Sequence, residues 1–157
     1  MISNKFSVTI TRPNDTTAYA ARDAIGDTSG SAILTFSNVG KDCKSIMILG
    51  ATLEIDVNAI PSGMSTFTLE LYSSAPTAIA DNAAWDLPSA DRSVYLGAIT
   101  ITTPTDKGST LFSDNDGINK KIVLTGPDLK AVLVTDTAFT PSASTVKVLT
   151  LNCVEYY

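Results

Sequence analysis

Alternation of apolar and polar residues with a period of two recurs along most of the chain, and this pattern is typical of β-strands with one buried face. Residues 66–71, TFTLEL, are the clearest case, because Thr66, Thr68 and Glu70 alternate with three apolar residues. No segment keeps helical spacing for the roughly 10–12 residues that a packed helix needs. About eight such strands, separated by turn signals such as IPSG, TGPD and TPSAS, predict an all-β, jelly-roll-like sandwich.

Composition narrows the class of protein further. With 157 residues, 44% of them apolar and 17% charged, the chain is expected to fold as a single domain over residues 1–157. The net charge of −5, with scattered basic residues, argues against a nucleic-acid partner. The start is not a secretory signal, and the longest apolar run, residues 46–51, is far too short to span a membrane. We therefore expect a soluble chain, synthesised in the cytoplasm.

The sequence contains little that is typical of catalysis. It has no histidine, no nucleophile motif and no glycine-rich phosphate loop, so we predict no enzymatic activity, no cofactor and no metal. The segment SDNDGIN, residues 113–119, resembles half of a calcium loop, but Asp116 and Gly117 are better explained as a tight turn between strands. Cys153 is expected to be a buried thiol. A disulfide between it and Cys43 is the less favoured alternative.

Two structural expectations concern single residues or ends of the chain. Gly50 interrupts the long strand pattern around residues 46–57 and indicates a β-bulge or bend. The C-terminal pair Tyr156 and Tyr157 either completes the packing of the last strand or reaches into another subunit.

The longest irregular stretch, residues 75–97, contains the sole tryptophan, Trp85. Gaps of this length inside a compact domain are usually functional or self-packed loops. Trp85 and Leu87 are predicted to cover one open end of the sandwich. Alternatively, Trp85 anchors a partner protein or forms a stacking platform for a sugar. Asp91 and Arg92 are expected in a second turn that leads into the next strand.

A second irregular block, residues 11–30, follows the first strand. It is interpreted either as an arm that extends along a neighbouring subunit or as a loop that crosses the sandwich. Arg12, Tyr19 and Arg22 are its candidate contact residues.

Two sequence blocks carry a family resemblance: TRPNDTTAYAARDAIGD at residues 11–27, and LYSSAPTAIADNAAWDLPSADRSVYLG at residues 71–97. Together they make up about a quarter of the chain, and they resemble blocks in small β-rich virion structural proteins of tailed bacteriophages. The departure from the family pattern is Arg22, which stands where that pattern has a small residue.

The resemblance implies a virion component without enzymatic activity. Within that class we expect a capsid decoration, or cement, protein on the virion surface, which binds the major capsid protein after shell expansion, with a homotrimer favoured. The expected partner contacts are made by Trp85, Leu87, Asp91 and Arg92 in the long loop, by Arg12, Tyr19 and Arg22 in the N-terminal block, and by Tyr156 and Tyr157 at a subunit interface. The alternatives are a head–tail connector and a receptor-binding or carbohydrate-binding module of a tail fibre.

Overall fold

A computed structural model describes residues 3–42 and 44–156. Within these ranges the chain forms ten strands and one short 3₁₀ turn, Ser89–Asp91. The strands are β1 (Ser3–Thr11), β2 (Ala24–Ile25), β3 (Ile33–Phe36), β4 (Ser45–Ile55), β5 (Phe67–Tyr72), β6 (Tyr95–Ile101), β7 (Thr105–Asp106), β8 (Leu111–Val123), β9 (Leu129–Thr135) and β10 (Val146–Glu155).

The strands form two antiparallel sheets. The first sheet has the order β1-β10-β4-β8-β7, and the second has the order β2-β9-β5-β6, with β3 also paired to β9. Without the two-residue strands β2 and β7, the orders are β1-β10-β4-β8 and β3-β9-β5-β6. These are the two four-stranded sheets of a jelly roll. The predicted fold class is confirmed.

The inner faces of the two sheets enclose the main hydrophobic core. Period-two alternation places Leu149, Leu151 and Cys153 of β10 on this inner face, where they are buried with Leu53 of β4 and Leu69 of β5. Full burial of each such aliphatic side chain stabilises the fold by about 1.5–3 kcal/mol. The prediction that the Cys153 thiol is buried is confirmed, and burial raises its pKa to about 12. Cys43 lies outside the described residues.

The irregularity predicted at Gly50 is a β-bulge. The register of the β4–β8 pairing shifts between Ile48 and Gly50. At the same point, the register of the β4–β10 pairing shifts between Asn152 and Cys153. A Cβ atom at position 50 would lie 3.0 Å from the backbone oxygen of Asn115, so glycine permits the close approach of β8.

The prediction of a tight turn at Asp116 and Gly117 is wrong. Strand β8 runs through this segment, with Asp114 opposite Thr52 and Asp116 opposite Gly50. Gly117 has a φ of +72°, which accommodates the extra residues of the bulge without a chain reversal. The turn lies earlier, after β7, where the Asp106 carboxylate accepts a hydrogen bond from Gly108 N.

The second sheet has a second, smaller core on its outer face. Tyr72, Val132 and Val134 point away from the main core and pack with Ala24 and Ala32. Residues 73–94 fold over this face and add half-buried apolar side chains, including Trp85 and Leu87. The expectation that Trp85 and Leu87 cover an open end of the sandwich is therefore wrong, because the loop covers the outer face of a sheet whose side chains are apolar on both sides.

Candidate functional site

The two irregular segments, residues 12–32 (the N-terminal loop) and residues 73–94 (the long loop), contact each other. Together they are called the paired loops below. Their backbones are joined by hydrogen bonds from Ala24 N to Ala83 O (2.8 Å), Trp85 N to Arg22 O (2.8 Å) and Ala32 N to Ile79 O (2.9 Å), among others. The N-terminal segment also pairs with β9 through β2. It therefore lies on the fold as a loop, which was the second of its two interpretations.

Arg22 links the paired loops to the sheet beneath them. Its guanidinium nitrogens lie 3.0 Å from Glu70 Oε1 and 3.3 Å from Asp136 Oδ1, and its Cζ lies 4.9 Å from the centroid of a Trp85 ring. The backbone has a φ of +71°, a left-handed conformation that is uncommon for arginine. This conformation is held by hydrogen bonds from Arg22 N to Thr135 O and from Trp85 N to Arg22 O.

The Glu70 side chain is the buried end of this network, with only 3% of its surface exposed. Its second oxygen accepts a hydrogen bond of 2.6 Å from the Tyr95 hydroxyl. Burial, together with the nearby Glu70 carboxylate, raises the pKa of Tyr95, so this hydroxyl remains a donor through the neutral range. Both Glu70 oxygens thus have partners, as a buried carboxylate requires.

Asp136 forms the other end of the network. Its carboxylate accepts hydrogen bonds from the Thr66 hydroxyl at 2.6 Å and from the Thr68 hydroxyl at 2.7 Å, in addition to the ion pair with Arg22. Trp85 is held in turn by a hydrogen bond from its Nε1 to the Tyr72 hydroxyl at 3.0 Å. These polar contacts fix Arg22 and the Trp85 ring to the outer face of β5 and to Asp136, the residue that follows β9.

A second buried cluster is centred on Asp81. Its Oδ1 accepts hydrogen bonds from the Tyr19 hydroxyl at 2.7 Å and from Gly26 N at 2.8 Å, and its Oδ2 lies 3.6 Å from Arg12 Nη1. A Cβ atom on Gly26 would lie 2.7 Å from Asp81 Cβ, so glycine is needed for this approach. Asp81 therefore fixes three points of the N-terminal loop to the long loop.

Arg12 has a fully buried side chain in the same cluster. Its Nη2 donates to Asp15 Oδ1 at 2.9 Å and to Thr17 O at 2.7 Å, and its guanidinium carbon lies 4.5 Å from the centre of the Tyr19 ring. Arg12 thus closes its own segment into a loop and stacks on the ring that Asp81 positions.

Lys147 of β10 points into the protein interior beside this cluster. It is 1% exposed, and its Nζ has no hydrogen-bond partner among the described residues. Burial, and secondarily the charge of Arg12, lowers its pKa from 10.5 to about 8, while the Asp81 charge acts in the opposite direction. The folded state therefore binds this proton more weakly than the unfolded state does.

We predict that stability rises between pH 8 and about 10 because of Lys147. In this range the unfolded chain keeps the lysine proton and the folded chain loses it, so the free energy of unfolding increases with pH. The increase is at most about 3 kcal/mol, since one pKa unit corresponds to about 1.4 kcal/mol. Urea unfolding at a series of pH values measures it.

Lys147→Met is the control for this effect. The variant should be more stable than the parent by about 1–3 kcal/mol at pH 7, because an unpaired buried polar group is removed. Tyr19 and Tyr95, whose pKa values are raised by burial, are common to both proteins, so their contribution above pH 10 cancels in the difference. If the two stability curves run parallel from pH 8 to 10, the assignment to Lys147 is wrong.

The structure places the predicted contact residues in three different environments. Arg12 and Tyr19 are buried inside the fold, and Asp91 is buried at the wall of a cleft beneath the long loop, so contacts of these three residues with a partner stay predictions. Arg22, Trp85 and Leu87 are partly exposed on the paired loops, and Arg92 is exposed. Tyr156 directly follows β10 of the other sheet, where its N donates to Ser45 O and Lys121 Nζ lies 5.4 Å from its ring centre. Tyr157 is outside the described residues.

Sequence reasoning missed Glu70, Asp136, Asp81 and Lys147. Alternation predicted that Glu70 faces solvent, but the loop buries that face. The signal that indicates this is strand β9, whose sequence LKAVLVT is apolar on both faces and therefore predicts cover on each side. Alternation in β10 places Lys147 on the inward face with Leu149 and Leu151, but no local pattern identifies the residues that surround it.

Over residues 3–42 and 44–156, no group of three or more acidic, histidine or cysteine residues is arranged to hold a metal ion. Over the same ranges, no helix has the length and apolar character that a membrane span requires.

Comparisons with known proteins give structural likenesses at low identity. The chain is similar to the solved structure of the capsid of Ralstonia phage GP4, with 15% identity, a TM-score of 0.38, and coverage of 99% of this chain and 84% of the other. It is also similar to the empty head of turnip yellow mosaic virus (12% identity, TM-score 0.34, coverage 97% and 79%) and to Desmodium yellow mottle tymovirus (9%, 0.28, coverage 97% and 85%). Likeness of this degree is no evidence for a shared function. No protein-family model and no curated protein matches the chain.

Proposed function

We propose that this protein is a structural component of a tailed-phage virion, a decoration protein that binds the major capsid protein of the expanded shell. One observation carries the proposal. The two sequence blocks that resemble phage virion proteins lie far apart in the chain, yet they pack against each other as the paired loops. Proteins that share a contact surface are expected to resemble each other in the segments that form it, and these two blocks form one surface here.

The paired loops have the physical properties of a preorganised contact surface. Their backbones are cross-linked by hydrogen bonds, and Arg22, Asp81 and Glu70 fix them to the rigid sandwich. Binding through such loops costs little ordering entropy, because their conformation is already set in the free protein. The exposed side chains of the paired loops include Asp86, Ser89 and Arg92. We assign the shell contact to this part of the loops.

Stabilisation of the shell then follows from mass action. A ligand that binds only the expanded lattice increases the stability of that lattice by an amount that grows with its free concentration. This requires no catalytic step. A homotrimer, with Tyr156 and Tyr157 near the subunit contact, is the assembly we propose, and sedimentation equilibrium of the purified protein tests it.

Arg92→Glu is expected to lower binding to expanded shells at least tenfold without changing thermal stability. Arg92 is exposed and has no ion pair among the described residues, so its reversal changes the surface charge alone. Co-sedimentation with expanded and unexpanded shells of the same phage measures the binding. Charged side chains at such contacts steer the encounter of the two partners and fix how they are oriented relative to each other.

Lys107→Glu is the matched control, because it makes the same change in net charge at an exposed residue after β7. Equal binding of the parent and Arg92→Glu would remove the long loop from the contact. Failure of the parent to bind either shell would overturn the decoration role and favour the head–tail connector.

A carbohydrate-binding module of a tail fibre is the second candidate. Trp85 is the sole tryptophan, and sugar-binding sites commonly use exposed aromatic rings. Here Arg22 lies over the Trp85 ring and Tyr72 holds its Nε1, so the ring is engaged within the fold. We rank this function below decoration. A glycan array separates them, since a decoration protein should give no signal.

A further inference from the structure

A cleft of about 310 Å³ opens between the long loop and the outer face of the second sheet. Its base is Val132 of β9 and Tyr72 of β5, and its walls come from residues 76–91. The walls are mainly apolar, with Pro76, Ile79, Trp85 and Pro88 and several alanines. A space of this size accommodates one large side chain or a small ligand.

The charged groups that line the cleft are both acidic. Asp86 is exposed at the surface and Asp91 is 7% exposed. The Asp91 carboxylate accepts hydrogen bonds from the backbone N of Thr77 at 2.9 Å and from the Thr77 hydroxyl at 2.9 Å. In the described part of the chain, no lysine or arginine nitrogen lies within 4.0 Å of either carboxylate. A buried carboxylate without a cation is unusual, because buried charges are normally paired.

The aromatic residues of the cleft add to its preference for a cation. Trp85 and Tyr72 both line the space, and Trp85 Nε1 donates a hydrogen bond to the Tyr72 hydroxyl. Aromatic faces attract ammonium and guanidinium groups. The negative charge of Asp91 acts on Tyr72. Burial, then the Glu70 charge, then the Asp91 charge raise the pKa of Tyr72.

We propose that this cleft receives a lysine or arginine side chain from an exposed loop of the protein's binding partner. The methylene stem would lie on the apolar walls, and the cationic group would lie between Asp86, Asp91 and the aromatic rings. This inference rests on the proposed function for the identity of the partner, but the chemistry of the cleft is testable without any shell.

The test uses Trp85 as the reporter, since it is the sole tryptophan and lines the cleft. N-acetyl-lysine methylamide is titrated at constant ionic strength, and N-acetyl-norleucine methylamide serves as the neutral probe with a stem of similar length. We expect a saturable change in tryptophan emission with the lysine probe and at least tenfold weaker binding of the norleucine probe. Equal affinities, or no saturable response to either probe, would overturn the proposal.

Variants locate the site. Asp86→Asn should weaken binding of the lysine probe about fivefold, as expected for the loss of one nearby charge in a solvent-exposed setting. Glu54→Gln, at an exposed carboxylate on the other sheet, should leave the affinity unchanged. Asp91→Asn should weaken binding as well, with circular dichroism and thermal melting to verify that the loop remains folded. Unchanged affinity in both Asp86→Asn and Asp91→Asn would place the lysine elsewhere and overturn the assignment.

The two proposals fail separately. If the parent binds expanded shells but shows no preference for the lysine probe, the decoration role stands and the cleft assignment falls. If the lysine probe binds in the cleft but no shell is bound, the cleft assignment stands and the partner must be sought in another part of the virion.

Discussion

Replacing Asp81 with alanine is expected to lower the free energy of unfolding by about 3–5 kcal/mol, the range for breaking a buried ion pair by removing one partner. The change leaves the Tyr19 hydroxyl and Gly26 N without their acceptor. It also leaves the buried cations Arg12 and Lys147 without the Asp81 carboxylate, which attracts both of them. Urea unfolding at pH 7, monitored by circular dichroism, measures the loss.

Two further variants separate charge from hydrogen bonding at this position. Asp81→Asn retains one side-chain oxygen acceptor and should recover part of the loss. Asp81→Ala combined with Lys147→Met should be less destabilised than the sum of the single changes predicts, because the remaining buried charge is smaller. Asp56→Ala, at an exposed aspartate, should stay within about 0.5 kcal/mol of the parent. Strict additivity of the Asp81 and Lys147 changes would contradict the electrostatic coupling described here.

Replacing Arg22 with methionine is expected to cost about 3 kcal/mol, near the lower end of the range for breaking a buried pair. The reason is that Glu70, 3% exposed, loses its cation, while Arg22 itself is 41% exposed and its own hydration offsets part of the effect. Methionine keeps an apolar stem beside Trp85, so lost packing contributes little. Thermal and urea unfolding measure the stability, and the emission of Trp85 reports the change in the loop.

The double variant Arg22→Met, Glu70→Gln tests the cause. It should regain at least half of the lost stability, because the uncompensated negative charge is gone. Lys130→Met is the matched control, since its ion pair with Asp128 is 3.9 Å long and partly exposed. Such surface pairs contribute about 0–1 kcal/mol. A loss at Arg22 no larger than that at Lys130 would show that Glu70 does not depend on its cation.

Arg22 also bears on the proposed function. It is the position at which the chain departs from the pattern of the family it resembles, and it joins the two loops to Glu70 and Asp136. The structure therefore gives this departure an intramolecular explanation: the arginine fixes the geometry of the proposed contact surface. A direct contact of its exposed part with a partner stays a prediction.

Local patterns in the sequence predicted the strands well where one face is buried. The alternation in β5 and β10 and the glycine at position 50 each correspond to an observed strand or bulge, because these features depend on neighbouring residues alone. The same reasoning was wrong at Asp116 and Gly117. A DG pair has the composition of a turn, but pairing with β4 extends β8 through it, and the bulge absorbs the glycine conformation.

The sequence by itself determined that this chain is a β-sandwich with two long irregular segments, since period-two alternation, turn residues and apolar content are all local properties. Only the tertiary structure decided that those segments, about sixty residues apart, pair with each other over the outer face of the second sheet. The same is true of the partners of Glu70, Asp81 and Lys147. Burial and charge pairing depend on which distant residues come together, and no local pattern specifies that.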